Sequence, residues 1–257
     1  MFIPLKDYNP TRRVAVVTIL FILLNFSVFI YQTYLSDEYL KKPLQASDLR
    51  PLRWPSSLEY FVLKDGLIPQ EINGLQNVEI PVGTDRWGNA VIFRRQVSPL
   101  LSLLLSLFMH GSWLHLLGNM LFLWIFGNNV EDRLGSIKFI FFYLLCGVGA
   151  SLVHVVFNLN SLTPVIGASG AVSGVMGAYL LLFPKARIRT LVFAFILITT
   201  MDIPAAVFLV IWFVFQFLYA GGGESIAWLA HVGGFIMGMI LLKVFMNRKK
   251  PLVEILP

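Results

Sequence analysis

Long apolar runs, interrupted by short clusters of charge, glycine and proline, dominate the chain. A helix rising 1.5 Å per residue needs roughly 20 apolar residues to cross about 30 Å of hydrocarbon. Six runs approach that length: Val14–Leu35, His110–Val130, Ile137–Phe157, Ser169–Phe183, Pro204–Ala220 and Ile226–Met246. The pattern predicts an all-α polytopic membrane protein, a six-helix transmembrane bundle forming one domain over residues 1–257. The first run follows Arg12-Arg13, but Tyr31-Gln32-Thr33-Tyr34 offers no small-x-small cleavage site, so the run reads as a retained span. Leu191–Thr200 is apolar but short and rich in β-branched residues, and is expected to be re-entrant or interfacial. Residues 36–98, the loop after the first span, are rich in proline and charge. They are too many for a simple connector and are expected to pack as a structure of their own.

Composition agrees with the pattern. The chain is 57% hydrophobic and 13% charged, with a mean hydropathy of +0.74. Soluble domains carry about 25% charged residues, so an ordinary soluble enzyme, a disordered scaffold and a nucleic-acid-binding domain are all excluded. The net charge of +6 does not point to an acidic partner, because the basic residues flank the apolar runs. With the N-terminus inside, the cytosolic segments collect Lys6, Arg12, Arg13, Arg133, Lys138, Lys185, Arg187, Arg189, Lys243 and Arg248–Lys250. The positive-inside rule then puts both termini in the cytosol. Cys146 is the single cysteine, so no intrachain disulfide forms and a cysteine-based metal site is not expected.

Polar groups in hydrocarbon cost several kcal/mol unless paired, which makes intramembrane His and Asn candidates for function. All four histidines lie in or at the end of a span: His110 and His115 in the second, His154 in the third and His231 in the sixth. His115 and Asn119 are four residues apart and share a helical face. The fourth run, Ser169–Phe183, is short enough that Ser169 should start about 8 Å below the outer surface. Asn158–Ala168 must then dip into the membrane, where irregular backbone survives only inside protein or against water. His231 and Asn119 fall in the same outer layer, about 9–13 Å deep.

A serine hydroxyl needs a neighbouring base to become a nucleophile. No carboxylate accompanies His231 within its span, so a Ser169–His231 dyad is expected without an acidic third member. Ser169 at a helix N-terminus would offer backbone N–H groups to an oxyanion, with Asn119 and His115 as side-chain donors. Gly170-x-x-x-Gly174 and Gly234-x-x-x-Gly238 fit the small-x-x-x-small pattern of close helix packing. Ser173 reads as packing, His154 as a helix-end or interfacial residue, and Glu131-Asp132-Arg133 as a solvated cap after the second span.

Four motifs stand in one order: His110-Gly-Ser-Trp-Leu-His115-Leu-Leu-Gly-Asn119, Glu131-Asp132-Arg133-Leu134-Gly135, Gly167-Ala168-Ser169-Gly170 and Ala230-His231-Val232-Gly233-Gly234. On these the chain resembles the rhomboid intramembrane serine proteases. The segments Ile3–Arg13 and Asn119–Gly127 resemble a broad prokaryotic branch of that family. The resemblance implies Ser169 as nucleophile, His231 as general base, His115 and Asn119 at the oxyanion, His110 as a residue that fixes the long loop, and a role for Glu131-Asp132-Arg133 in closing the protease core. Gly167 belongs to the nucleophile motif and supports the same site. The Trp-Arg pair that some rhomboids carry before the first His is replaced here by Leu101-Ser102.

The resemblance implies transmembrane protein substrates within a lipid bilayer, cleavage near the outer face of a prokaryotic plasma membrane, and no cofactor or metal. His110 and His115 are five residues apart with no His-Glu-x-x-His, which argues against a zinc protease. The competing class is a catalytically silent rhomboid-like protein that binds or chaperones client helices. A small transporter would show inverted repeats and paired broken helices at mid-depth.

Overall fold

The computed structural model describes residues 2–41, 57–84, 87–194, 197–218 and 227–246. The end of the fifth expected span, the first residue of the sixth and the basic Arg248–Lys250 lie outside the described residues, as do 42–56 and 85–86 of the long loop. In chain order the elements are β1 (Phe2–Asp7), α1 (Val16–Lys41), α2 (Ser57–Asp65), α3 (Pro69–Gly74), β2 (Glu79–Thr84), β3 (Ala90–Arg94) and α4 (Pro99–Leu105). A 3-10 turn at Ser106–Phe108 leads to α5 (Trp113–Leu134), α6 (Ser136–Val156), α7 (Ser169–Leu182), β4 (Arg187–Ala194), β5 (Leu197–Pro204), α8 (Ala205–Leu218) and α9 (Trp228–Phe245).

The protein is mostly helical. By length and composition α1, α6 and α9 can each cross a membrane, and a fourth candidate is α4 with its 3-10 turn plus α5, bent by 79°. The helices fall within a few residues of the six runs read from hydropathy, with α7 and α8 the short ones at 14 residues each.

The expectation of an all-α chain is corrected by two small sheets. Residues 191–194 and 197–200, in the stretch expected to be re-entrant or interfacial, lie in the antiparallel strands β4 and β5, which β1 extends in the order β1-β4-β5. Alternation explains why this is a strand pair. Ile188, Thr190 and Val192 are buried while Arg187, Arg189 and Phe193 are exposed, the two-residue period of a half-buried sheet. Opposite each other on the exposed face, Arg189 and Asp202 form a bidentate pair at 2.9 and 3.1 Å. The hydrogen bonds from Arg189 hold the Asp202 carboxyl below its ordinary value.

In the long loop, α2 and α3 pack beside the β2–β3 hairpin, and a buried ion pair ties them together. Arg95 reaches Glu71 with both side chains fully out of solvent. Arg95 also donates to the carbonyls of Lys64 at 3.2 Å and Gly66 at 2.6 Å, while Glu71 accepts from Val78 N at 3.0 Å. Such a pair tolerates burial because its remaining donors and acceptors are satisfied.

The core is centred on α7, in which Gly170–Tyr179 are all buried between α5, α6 and α9. Backbones touch where the small residues predicted it. A Cβ at Gly238 would sit 1.9 Å from the Gly174 carbonyl oxygen, and one at Gly234 would sit 2.1 Å from that of Gly170. Only glycine admits this approach of α9 to α7.

Glu131 overturns the reading of a solvated cap. It is 2% exposed and closes the N-terminus of α1, accepting from Val17 N at 3.0 Å, Thr18 N at 2.8 Å, Thr18 Oγ1 at 2.8 Å and Ser136 Oγ at 2.7 Å. An uncapped helix start offers free N–H groups and a positive dipole end, and a carboxylate satisfies both.

Candidate active site

Ser169 is the first residue of α7, and the preceding Asn158–Ala168 is irregular, as the short apolar run requires. No side chain caps this helix end, which leaves first-turn N–H groups available to a ligand. The backbone turns into the helix through Gly167, whose φ of +125° suits glycine alone. Its N–H is held by Ser106 O at 2.8 Å. A Cβ on Gly167 would lie 2.7 Å from His115 Nε2 and 3.7 Å from Ser169 Oγ, so imidazole and hydroxyl converge on one point. Ser173, one turn further along α7, donates its Oγ to Ser169 O at 2.6 Å and also lines the same cavity as Ser169.

His115 and Asn119 come from the first turns of α5, which Ser112 opens by accepting from His115 N at 3.1 Å. Behind them lies His110, fully buried, its Nε2 3.1 Å from Asn119 Nδ2 and its ring edge-on to His115 at 5.0 Å. His110 N donates to Gln32 Oε1 of α1 at 3.3 Å. His110 therefore touches both oxyanion candidates directly. One amide N–H of Asn119 remains for the site, since an amide nitrogen carries two.

His231 sits in the first turn of α9. Its Nδ1 is 2.8 Å from Gln216 Oε1 of α8, and its ring lies 6.1 Å from Trp212. Gln216 was not singled out from the sequence. The signal was there: it is the one side-chain amide in α8.

These residues share one cavity of about 1130 Å³, lined by Ser169, His231, His115, Asn119, Trp212 and the irregular stretch around Thr163–Ile166. His154 also lines it, from the last turn of α6, so its expected place at a helix end holds and it faces the site as well. Among the described residues no direct hydrogen bond joins Ser169 Oγ to His231. On one side the wall is thin: Leu114 is 82% exposed, and a Cβ at Gly118 would meet nothing within 4 Å.

The Rhomboid domain family matches residues 97–248, which carry every one of these site residues. The chain belongs to the rhomboid family. It is 31% identical over 153 residues to Rhomboid protein 1, mitochondrial, of Saccharomyces cerevisiae, covering 56% of this chain and 41% of that protein. It is 27% identical over 239 residues to RHOMBOID-like protein 4 of Arabidopsis thaliana, covering 89% and 52%. Rhomboid-like protein 11, chloroplastic, of the same plant is 46% identical over 68 residues, 26% of this chain and 24% of that protein. The rhomboid chain spans about half or less of the length of these relatives. All three are eukaryotic, so the expected prokaryotic branch draws no support from them.

Proposed function

We propose that the protein is an intramembrane serine endopeptidase that cleaves transmembrane segments of other membrane proteins. The observation that carries this reading is the shared cavity of Ser169, His231, His115 and Asn119. In it, His231 takes the Ser169 proton as Oγ attacks the scissile carbonyl. The developing oxyanion is met by first-turn N–H groups of α7, by Asn119 and by His115. His231 then returns the proton to the leaving amine, and an acyl-enzyme remains. Water attacks the acyl group with His231 again as base, releasing the acid and restoring Ser169.

The proposal includes a six-span topology with both termini in the cytosol and the site open to the outer face, supported by the distribution of basic residues. A substrate helix would enter between α5 and α8, where Leu114 and Gly118 leave the cavity wall thin and α8 turns Val210, Val214 and Phe217 outward. Unwinding must precede attack, which favours substrates with Gly or Pro near the cleaved bond.

The test is labelling of purified, detergent-solubilised protein by a fluorophosphonate probe, comparing wild type with Ser169→Ala and His231→Ala. Labelling of wild type that disappears in both variants is the expected result. A second reading, a catalytically silent protein that binds client helices, is favoured by the missing direct bond between Ser169 Oγ and His231. Unlabelled but well-folded wild type would select it.

A further inference from the structure

From Ala205 to Leu218 every residue of α8 except Gln216 is aliphatic or aromatic. Gln216 is 4% exposed, and an amide in such surroundings is disfavoured unless both of its ends are bonded. Both are. Nε2 donates to the carbonyl of Trp212, one turn back, at 2.9 Å, and Oε1 stands 2.8 Å from His231 Nδ1.

The orientation of this amide follows from its partners. Trp212 O only accepts, so the NH₂ end must face it and the carbonyl end must face His231. A carbonyl oxygen only accepts as well, so Nδ1 must carry a proton. The opposite neutral tautomer would set two lone pairs 2.8 Å apart. Nε2, on the far edge of the ring, is then the bare nitrogen. Trp212, on the same face of α8, flanks the ring with centroids 6.1 Å apart.

We propose that Gln216 is a positioning residue that holds His231 as the Nδ1–H tautomer and so presents Nε2 to the cavity as the base. The proposal rests on the serine-protease reading and deepens it, supplying a third member where no carboxylate is available. A neutral acceptor suits the place. When Nε2 gains the Ser169 proton, the amide dipole already points its negative end at the charged ring, yet in the resting state it adds no formal charge to an apolar helix. The other ionisable side chains that act on His231 are His115 from α5 and His154 from α6.

Two measurements decide it. In wild type labelled with ¹⁵N-histidine, with the signal assigned by its loss in His231→Ala, His231 is expected to show a protonated Nδ1 and a bare Nε2; the reverse tautomer overturns the proposal. In fluorophosphonate labelling followed across pH, Gln216→Leu is expected to be about 10–100-fold slower, the loss seen when the partner that orients a metal-ligating imidazole is removed. Gln216→Glu is expected to keep labelling while the acid limb of its profile moves up by about one pH unit, because an anion beside Nδ1 favours the protonated ring. Labelling of Gln216→Leu at the wild-type rate with an unchanged profile overturns the proposal. If Gln216→Leu does not fold, the wild-type tautomer and the Gln216→Glu profile still decide. If wild type does not label at all, the protease reading fails, while the tautomer still tests the tie between Gln216 and His231.

Discussion

Leu67 and Val165 exchange both backbone hydrogen bonds, at 3.0 and 2.7 Å, and so join the long loop to the segment that delivers Ser169. Gln70 N adds a third bond to Ser161 O at 3.1 Å. The Leu67 side of this bridge is held by Arg95, which bonds Gly66 O next door and pairs with Glu71. Removing one partner of a buried pair strands the other charge, which costs about 3–5 kcal/mol, whereas replacing both by apolar groups can be neutral. Arg95→Met is therefore expected to lower the unfolding temperature strongly, and Arg95→Met with Glu71→Leu to recover part of the loss, the rest reflecting Lys64 O, Gly66 O and Val78 N left without their side-chain partners. A double variant no better than the single would show that the ion pair is not what holds the loop.

Gly167 meets two demands at once, a φ of +125° and the contact with His115 Nε2. Gly167→Ala meets neither. Strained backbone of this kind costs about 1–3 kcal/mol, and the added methyl displaces the imidazole from Ser169. The expected outcome is a folded protein with a modestly lower unfolding temperature and almost no fluorophosphonate labelling; wild-type labelling would place His115 outside the reacting site.

In the proposed reaction, the Asn119 amide N–H not used by His110 is the one that meets the oxyanion. Losing one such donor costs about 10²–10³ in rate. Asn119→Ala should reduce kcat on a transmembrane substrate by roughly that factor and leave KM near wild type, because the interaction forms only in the transition state. A change confined to KM would reassign Asn119 to substrate binding.

How much of this was legible in the sequence depends on whether the signal was local. The helices were, because a long apolar run is a local property, and so was the grouping of Ser169, His231, His115 and Asn119 around one cavity, because each sits where a polar group in an apolar run demands a reason. The strands at 191–194 and 197–200 were not legible, because a short apolar run does not distinguish a strand from a membrane segment until the pairing of β4 with β1 and β5 is known. Glu131 looked like a turn because its partners Val17 and Thr18 lie far away in the chain. The Glu71–Arg95 pair likewise joins elements with no common period. Gln216 is locally as conspicuous as His231, a lone amide in an apolar helix, but its contact with His231 joins two helices and is visible only in the fold.

Glu131 supplies four hydrogen bonds from one carboxylate, two of them to the first N–H groups of α1. Bonds to a charged group contribute about 1.5–3 kcal/mol each, though neighbours in one network do not add fully. Glu131→Ala is expected to cost on the order of 3 kcal/mol or more in equilibrium unfolding, and Thr18→Val, which removes a single bond, distinctly less. Equal losses in the two variants would mean that the carboxylate is not the keystone of the cap.

Asp7, at the end of β1, reaches into the helical core. Its Oδ2 accepts from Tyr179 OH at 2.9 Å and from Asn129 Nδ2 at 2.6 Å, and Asn9 completes the cluster by donating to Asn129 Oδ1 at 2.8 Å. Burial raises the Asp7 carboxyl above its ordinary value, and the bonds from Tyr179 and Asn129 oppose that rise without cancelling it. For an acid with a raised value in the fold, the stabilising contribution is fully present below the unfolded-state pKa and is lost as pH climbs through the folded value. The docking of β1 should therefore be firmer in mild acid than at neutrality. Asp7→Asn keeps an oxygen for Tyr179 and Asn129 but cannot ionise, so it should remove this dependence. Comparing unfolding temperatures at about pH 4 and about pH 7, wild type should lose ground to Asp7→Asn as pH rises. A difference between the two proteins that stays the same at both values would overturn this, because it would mean that the hydrogen bonds from Tyr179 and Asn129 fully balance the burial of Asp7.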